Sequence, residues 1–279
     1  MELHAEFVSL MRKAATKEEG SITLNPLSET RQHVLELVLN NPSKRGALSA
    51  TMLLQLGMAV DEVEQRGDQV RGLILRGAGG DFCAGLDLDL ARAHINTPRL
   101  GMLMSDFVID SLNRIQSSSA VSVCVINGPA IGGGSELVTC CDFRLMSSAA
   151  RVQSVHARLG ASPGWGGAAR LSALVGRRHA LACLGGSAVV DAPRALAIGL
   201  VDHLIDPQAD DEGYTVAAAA FLEPFCGAGQ SARSVQGIKY TLAAEDAAEM
   251  RAREGEVFFD RWFGEENRAA VERAAKKTR

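Results

Sequence analysis

The 279-residue sequence has no excess of basic residues, no long apolar run and no CxxC pair. Its formal net charge is −4, which offers no basic face for nucleic acid, so we expect no nucleic-acid partner. No segment reaches the roughly 20 consecutive apolar residues of a membrane helix, so we expect no membrane span. Glu2 and Glu6 interrupt the apolar residues near the amino terminus, unlike a secretory signal peptide. Together these absences predict a cytoplasmic protein.

The cysteines do not follow a metal-site pattern. A zinc site needs clustered Cys and His residues, and that spacing is missing, so we expect no bound metal. Most cysteines stand inside apolar runs, as in the segment VSVCVI, and free buried thiols are the expected state. The six are Cys83, Cys124, Cys140, Cys141, Cys183 and Cys226.

The glycine motifs of nucleotide binding and serine hydrolysis are also missing. The sequence contains no GxGxxG opening a helix, no GxxxxGKS or GxxxxGKT, and no GxSxG. Dinucleotide-binding, nucleotide-binding and serine-hydrolase functions are therefore all disfavoured.

Apolar runs that end in turn residues alternate with helical patterns in the first half of the chain. Short runs rich in Val, Ile and Leu predict buried strands at 34–42, 70–80 and 120–130. Apolar residues recur at helical spacing over 48–67 and 100–116. This alternation predicts an α/β domain built from βαβ units.

The chain becomes mainly helical after Gly176. Two short helices are predicted at 177–185 and 191–198, and three more helical segments follow the polar stretch 207–213. The first 20 residues have the amphipathic pattern typical of a short helix. The predicted divisions are a helical N-terminal extension (1–19), a core (20–206) and a C-terminal helical region (207–279).

Two glycine-rich turns follow buried strands and are candidates for chemistry. Gly132, Gly133 and Gly134 stand between the third predicted strand and an apolar helical run, and Gly85 lies in RGAGGDFCAGLDLDL. Consecutive glycines lose backbone entropy, so they fit either close packing of a helix on a strand or close approach of a ligand. Amides that open a helix have no internal partner and favour negative charge. If both turns aim an N–H at one point, they form an oxyanion hole.

Five segments in this order resemble the crotonase (enoyl-CoA hydratase/isomerase) superfamily, over roughly residues 20 to 279. They are VLELVLNNPSKRGAL, GLILRGAGGDFCAGLDL, INGPAIGGGSELVTCCDFRL, HARLGASPGWGGAARL and ALAIGLVDHLI. The resemblance implies an α/β fold with a crotonase-like spiral core of ββα repeats and a C-terminal helical trimerisation region. It also implies a homotrimer or hexamer (a dimer of trimers) that binds an acyl-CoA thioester.

The resemblance assigns the two oxyanion-hole amides to Leu86 and Gly133, with Gly132 and Gly134 beside the second. These N–H groups would bind the thioester carbonyl oxygen and stabilise its enolate. Removing one such donor typically costs about 3 kcal/mol of barrier. Because the thioester itself is the electron sink, the resemblance implies no metal and no redox cofactor, and coenzyme A enters only as part of the substrate.

The predicted reaction depends on two positions. Hydratases of the superfamily use two carboxylates, and the first falls on Glu136. The position of the second holds His156, which disfavours hydration by two glutamates. Together with GGGSE, the segment VHARLGASPGWGGAARL is similar to the ethylmalonyl-CoA decarboxylase branch, which acts on ethylmalonyl-CoA and, less well, on methylmalonyl-CoA. This similarity predicts decarboxylation of a short-branched malonyl-type acyl-CoA through a thioester enolate.

Three side chains have candidate roles in that reaction, each with a structural alternative. His156 is a candidate for protonating the α-carbon or binding the departing carboxylate, since histidine charge is easily tuned, or is a buried structural histidine. Glu136 orients His156 or a water, or is a carboxylate at a helix end. Trp165 lies among glycines and is a candidate for walling the pocket and holding the malonyl carboxylate out of the thioester plane, or its ring simply fills space.

The coenzyme A portion has its own candidates. The resemblance brings Lys44 and Arg45 near the adenine and phosphates and Ala84 into the turn that touches the adenine. Lys239 is a candidate for reaching the ligand of a neighbouring subunit. Each charged residue is alternatively a solvated surface group. Gly46 departs from the superfamily, which often has Asn after the basic residue.

Two other functions stay open at this point. One is a different crotonase reaction, hydration or double-bond isomerisation, with Glu136 as the sole carboxylate. The other is a non-catalytic CoA-binding or scaffolding role.

Overall fold

Strands and helices alternate over most of the chain. The structure is a computed structural model and describes residues 2–16, 20–206, 209–244, 246–262 and 264–277. The strands are β1 (Ser21–Pro26), β2 (Val34–Asn40), β3 (Gly72–Gly77), β4 (Val121–Ile126), β5 (Ala130–Ile131), β6 (Phe143–Ser147), β7 (Arg151–Gln153), β8 (Val190–Asp191) and β9 (His203–Ile205). The helices are α1 (Glu2–Ala14), α2 (Ala50–Arg66), α3 (Leu88–His94), α4 (Pro98–Ser117), α5 (Gly133–Leu137), α6 (Gly167–Leu184), α7 (Ala192–Ala197), α8 (Asp211–Cys226), α9 (Ala232–Leu242), α10 (Ala247–Arg261) and α11 (Glu265–Lys277). None of the helices in these ranges has both the length and the apolar character to cross a membrane.

Six strands form one sheet in the order β1-β2-β3-β4-β6-β9. β1 pairs antiparallel with β2 at one edge, and the remaining neighbours pair in parallel. Every residue of β3 and β4 is buried, as is typical of parallel strands covered on both faces. The predicted α/β class is confirmed, and so are the three predicted strands.

A second, narrower layer of strand lies beside this sheet. β5, β7 and β8 form a three-stranded sheet, and the isolated parallel bridges Leu48–Leu86 and Cys83–Ala130 continue it through the earlier turns of the chain. Each turn therefore contributes one strand to the large sheet, one short segment to the second layer, and a helix. This order confirms the predicted spiral of ββα repeats.

Helices cover both faces of the large sheet. α1, α2 and α4 pack in the larger hydrophobic core, and α8 packs against β3 and β4 on the other face. α2 begins at Ser49, whose hydroxyl accepts a hydrogen bond from the Met52 amide. All six cysteines are free and buried, as expected, and burial raises the pKa of the Cys83 thiol to about 12.

The N-terminal helix is part of the larger core. Phe7 and Met11 on α1 are fully buried, and the Phe7 ring centroid lies 5.1 Å from that of Phe107 on α4. Glu6 makes an exposed ion pair with Arg99 at 2.5 Å. The helix predicted within 1–19 is thus present as α1, and residues 1 and 17–19 lie outside the described part of the chain.

The helix predicted at 177–185 is present, and it begins after a break at Gly176, whose φ of 75° and ψ of 156° are not helical. A further helical segment over 167–175, which was not predicted, precedes it within α6. Among the described residues four helices, α8 to α11, follow the polar stretch, so the prediction of three was wrong. α11 begins only four residues after α10 ends, a separation too short to stand out in the sequence. Residue 207 lies outside the described residues, and since α8 packs on the main sheet, a division there stays a prediction.

We predict that Phe7→Ala lowers the free energy of unfolding by about 3 kcal/mol, because it opens a cavity in a core that cannot fully collapse. Glu6→Ala, on the same helix, removes only an exposed ion pair and should change it by less than about 1 kcal/mol. Chemical denaturation of both variants checks this. Equal effects would mean that α1 is attached by its surface charges rather than by its apolar face.

Candidate active site

Three of the residues singled out from the sequence occupy equivalent positions in three successive turns of the spiral. Leu86 follows β3, Gly133 follows β4 and β5, and His156 follows β6 and β7. Because parallel strands run in the same direction, the loops that follow them lie at the same edge. The fold therefore gathers positions that are far apart in sequence.

Main-chain hydrogen bonds hold these loops against one another. The Ile131 amide donates to the Cys83 carbonyl at 2.9 Å, and the Gly132 amide donates to the Gln153 carbonyl at 2.9 Å. The turns that contain Leu86, Gly133 and His156, the second, third and fourth of the spiral, are thus joined directly at the second layer. These bonds lie within three residues of the proposed donors Leu86 and Gly133.

The turn at Gly85 leaves the Leu86 amide out of this bonding. Gly85 has φ of 90°, and its carbonyl accepts from the Leu48 amide at 2.7 Å. The Asp87 amide then donates to the Leu48 carbonyl at 3.0 Å. The bonding therefore skips Leu86, and among the described residues no acceptor takes its N–H.

The three consecutive glycines are needed for three different reasons. Gly132 adopts φ of 56° and ψ of −123°, which residues with a side chain rarely adopt. A Cβ on Gly133 would overlap the Trp165 ring, and a Cβ on Gly134 would overlap the Cys83 carbonyl. Close packing accounts for two of the three, and the glycines open α5 as the sequence predicts.

The Gly85 turn and the Gly133 turn lie side by side. A Cβ on Gly85 would come within 2.9 Å of the Gly133 nitrogen and 3.1 Å of the Ile131 oxygen. In the described part of the chain, the Gly133 N–H has no acceptor either. Two neighbouring main-chain donors are thus left for a ligand, although their convergence on one oxygen stays a prediction.

Glu136 is a buried carboxylate, 1% exposed, that holds the turn before α6. Its Oε2 accepts from the amides of Trp165 at 2.8 Å and Gly167 at 2.9 Å, and its Oε1 accepts from Gly164 at 3.2 Å. Burial acts to raise the pKa of this carboxyl, but hydrogen bonds from His156, Gly167 and Trp165 outweigh it, and the pKa is lowered. Glu136 is therefore ionised at neutral pH and caps the α6 helix.

His156 lies between Glu136 and Ser154. Its Nε2 is 3.2 Å from Glu136 Oε1, and its Nδ1 is 2.9 Å from the Ser154 hydroxyl. Its side chain is 16% exposed, so it is partly open to solvent. The structure thus brings the two acid–base candidates into contact, with both ring nitrogens engaged.

Trp165 is 3% exposed, and its ring lies on Gly133. It forms part of the wall beside a proposed donor, where the sequence analysis expected a wall. Little of the ring is open to a ligand in this conformation, so its predicted role toward the malonyl carboxylate stays a prediction.

Three of the four coenzyme A candidates lie near the Leu86 turn. Lys44 Nζ pairs with Asp87 Oδ2 at 2.6 Å and with Asp89 Oδ2 at 3.1 Å. Both hydrogen bonds raise the pKa of Lys44, and the one to Asp87 has the larger effect. The Ala84 amide donates to the Arg45 carbonyl at 3.0 Å, and the Arg45 side chain is exposed. Lys44 thus steadies the loop that carries Leu86, and binding of coenzyme A by these residues stays a prediction.

Lys239 lies at the other end of β4 from the glycines. Its Nζ donates to the Ala120 carbonyl at 2.5 Å and to Asp142 at 2.7 Å. It lines a mainly apolar cavity of about 280 Å³ together with Phe143 and Leu242. Within the chain it joins α9 to the start of β4, and its predicted contact with a neighbour's ligand stays a prediction.

Two buried charged residues near the site, Arg170 and Asp87, were not recognised from the sequence. Arg170 is 9% exposed and donates to the Trp165 carbonyl at 2.5 Å. Asp87 is 5% exposed and caps α3. The segment quoted for the resemblance contains Arg170, but a lone arginine in an apolar helical pattern gives no sign of being buried.

Comparison with known proteins gives one consistent result. The sequence profile of the enoyl-CoA hydratase/isomerase family matches residues 29–251. An ethylmalonyl-CoA decarboxylase of Xenopus laevis is 35% identical over 268 residues, covering 96% of this chain and 87% of that protein. An ethylmalonyl-CoA decarboxylase of Bos taurus is 38% identical over 245 residues, covering 86% of this chain and 78% of that protein. The crystal structure of an enoyl-CoA hydratase of Mycobacterium smegmatis is similar with a TM-score of 0.82 and 25% identity, covering 92% of this chain and 96% of that chain.

We predict that Glu136→Gln lowers the free energy of unfolding by about 2–3 kcal/mol near neutral pH, because an amide cannot accept all the hydrogen bonds of the carboxylate. A carboxyl with a lowered pKa in the folded state stabilises above its unfolded pKa and loses that effect as pH falls through the folded pKa. The difference between wild type and variant should therefore shrink in acid.

Chemical denaturation across a pH series checks this prediction. Glu62→Gln is the matched control, because Glu62 makes only an exposed pair with Arg66 four residues away, and it should change stability by less than about 0.5 kcal/mol. A Glu136→Gln effect independent of pH would contradict the ionised state.

Proposed function

The chain belongs to the enoyl-CoA hydratase/isomerase family, and on that premise we propose that it decarboxylates a short-branched malonyl-type acyl-CoA. The proposed substrates are ethylmalonyl-CoA and, less well, methylmalonyl-CoA. The relatives named ethylmalonyl-CoA decarboxylase support this choice, since they share over a third of their aligned residues with it across most of its length.

One observation favours decarboxylation over hydration. The Glu136 carboxylate is already occupied by hydrogen bonds within the protein. It accepts hydrogen bonds from three main-chain amides and contacts His156. Hydration needs a carboxylate free to position and activate water, and the second family carboxylate is replaced by His156. Decarboxylation needs no base, because the electrons come from the carbon–carbon bond that breaks.

In the proposed reaction the bond between the α-carbon and the carboxylate breaks and CO₂ leaves. Its electron pair moves into the thioester, which becomes an enolate with negative charge on the carbonyl oxygen. The Leu86 and Gly133 N–H groups bind that oxygen, and donors aimed at developing charge are worth about 3 kcal/mol each. A proton then adds to the α-carbon and the carbonyl forms again. No metal or redox cofactor takes part in this scheme.

His156 is the proposed proton donor, and Glu136 its positioning residue. Glu136 Oε1, 3.2 Å from Nε2, and the Ser154 hydroxyl, 2.9 Å from Nδ1, limit rotation of the ring. Delivery to the α-carbon requires the ring to exchange one of these contacts for the substrate. Trp165, against Gly133, is proposed to turn the malonyl carboxylate out of the thioester plane, where the breaking bond overlaps the carbonyl π system.

The remaining parts of the proposal concern coenzyme A and assembly. The exposed Arg45 is proposed to bind the phosphates, and Lys44 and Ala84 to line the adenine site. A homotrimer, or a hexamer of two trimers, is proposed on the ground that α10 exposes Phe258 and Phe259, 57% and 88% accessible. A cytoplasmic location is part of the same proposal.

Product analysis by mass spectrometry tests the reaction. We expect release of CO₂ from ethylmalonyl-CoA and more slowly from methylmalonyl-CoA, and no hydration of crotonyl-CoA. The panel includes malonyl-CoA to measure the preference for a branch. Rapid hydration of crotonyl-CoA without CO₂ release would refute the proposal and show that the protein is a hydratase. If no thioester reacts, a binding role is favoured.

Deuterium labelling tests the role of His156. In D₂O the wild type should place one deuterium at the α-carbon of the product in a single configuration. His156→Gln should slow turnover by about 100-fold and yield both configurations, because solvent then protonates the enolate. Ser154→Ala, which leaves the contact of Nε2 with Glu136, should keep the single configuration. If the His156→Gln product still had a single configuration, a group other than His156 would have to be the proton donor.

A further inference from the structure

We propose that Arg170 is a positioning residue of this site, which holds the Trp165 ring on Gly133 and balances the buried charge of Glu136. The positioning part of this proposal, that Arg170 holds the Trp165 ring, does not depend on any reaction. The charge part, that Arg170 balances Glu136, is measured by kinetics and therefore rests on the proposed function.

Arg170 is a buried cation without a carboxylate partner. It is 9% exposed, and no Asp or Glu of the described residues lies within ion-pair distance of its guanidinium. It donates instead to Thr139 Oγ1 at 3.0 Å, Asn113 Oδ1 at 3.4 Å and the Trp165 carbonyl at 2.5 Å. Burying a charge away from a counterion is unfavourable by several kcal/mol, so hydrogen bonds and nearby charge have to compensate.

The guanidinium ties together the same two segments as Glu136. Thr139 lies just after α5 and donates its hydroxyl to the Glu136 carbonyl, and Trp165 lies in the turn before α6. Gly166 in that turn has φ of 76°, and a Cβ there would come within 2.7 Å of Arg170 Nη1. The guanidinium therefore fills the space that the glycine leaves open.

The main chain of Trp165 is held on both sides by side chains of opposite charge. Its N–H donates to the Glu136 carboxylate and its carbonyl accepts from the Arg170 guanidinium. Charge-assisted hydrogen bonds are stronger than neutral ones, and two of them fix the main chain on either side of the indole. Loss of Arg170 should therefore loosen the ring that covers Gly133.

The electrostatics agree with this geometry. Burial lowers the pKa of Arg170, and interactions with Cys140, then Glu136 and Cys141, act in the opposite direction. Attraction between two opposite charges is mutual, so the cation also favours the ionised form of Glu136. The buried site thus holds one positive and one negative side chain that both bind the main chain of Trp165.

Fluorescence measures the positioning part. The chain has two tryptophans, and Trp262→Phe removes the exposed one while keeping a ring beside Phe258. Excitation selective for tryptophan then reports on Trp165 alone. In that background Arg170→Met should shift the emission to longer wavelength and increase quenching by acrylamide. Arg170→Lys keeps the charge but cannot make the three contacts, and should do the same to a smaller extent.

The pH dependence of turnover measures the charge part. With Arg170→Met, kcat should fall by about tenfold with KM changed less than about threefold, as for loss of a contact that acts through positioning. The acid limb of the kcat profile should also move to higher pH, because removing a nearby cation makes Glu136 easier to protonate. Arg170→Lys should leave the acid limb where it is in the wild type.

Arg144→Met is the matched control. Arg144 is 2% exposed and also donates to main-chain carbonyls, those of Leu200 and Cys141, and it lies 3.6 Å from the Asp202 carboxylate. Among the described residues it makes no hydrogen bond to α5 or to the Trp165 turn. It should lower stability without changing Trp165 emission or the acid limb. Equal changes in the two variants would reduce Arg170 to a generic core residue.

The outcomes separate this proposal from the proposed function. Wild-type emission in Arg170→Met and Arg170→Lys would overturn the positioning role, whatever the enzyme does. An altered emission together with no decarboxylation by the wild type would refute the reaction and retain the positioning. If Arg170→Met does not fold, Arg170→Lys and Thr139→Val decide by emission alone.

Discussion

The parallel stacking of short strand segments in the second layer is the constraint on which the site depends. Each segment is joined to the next by main-chain hydrogen bonds, such as those from Ile131 to Cys83 and from Gly132 to Gln153. These bonds use backbone groups only, so they specify geometry without specifying side chains. Donors and acid–base groups from three turns are thereby brought to one edge, while the large sheet beside them supplies rigidity.

Glu136 shows how one buried group can serve stability and chemistry together. Its carboxylate stabilises the start of α6 and also contacts His156. A carboxylate that accepts several hydrogen bonds is held ionised, so it can orient a histidine but is a poor general base. The same contacts that stabilise the helix therefore restrict which reaction the site supports.

Much of the fold follows from the sequence, because brief apolar runs and helical periodicity are local signals. The strands at Val34–Asn40 and Val121–Ile126 and the glycine turns are of this kind. Arg170 and Asp87 could not be recognised, since their burial is created by segments distant in sequence. Lys44 has an exposed-looking sequence context, yet Asp87, which follows the Leu86 turn, engages it. The helix start after Gly176 was recognised, because a glycine that interrupts a helical pattern is also a local signal.

The crowding around the consecutive glycines limits how a spiral of this kind can acquire a new activity. Gly133 is closed by an indole, Gly134 by a carbonyl and Gly132 by its own backbone angles, so none of them tolerates a side chain. The fourth turn is not crowded in this way, because His156 is partly open to solvent. Substitutions that change the reaction are therefore expected in that turn, whereas the turns that carry the proposed anion-binding amides stay unchanged.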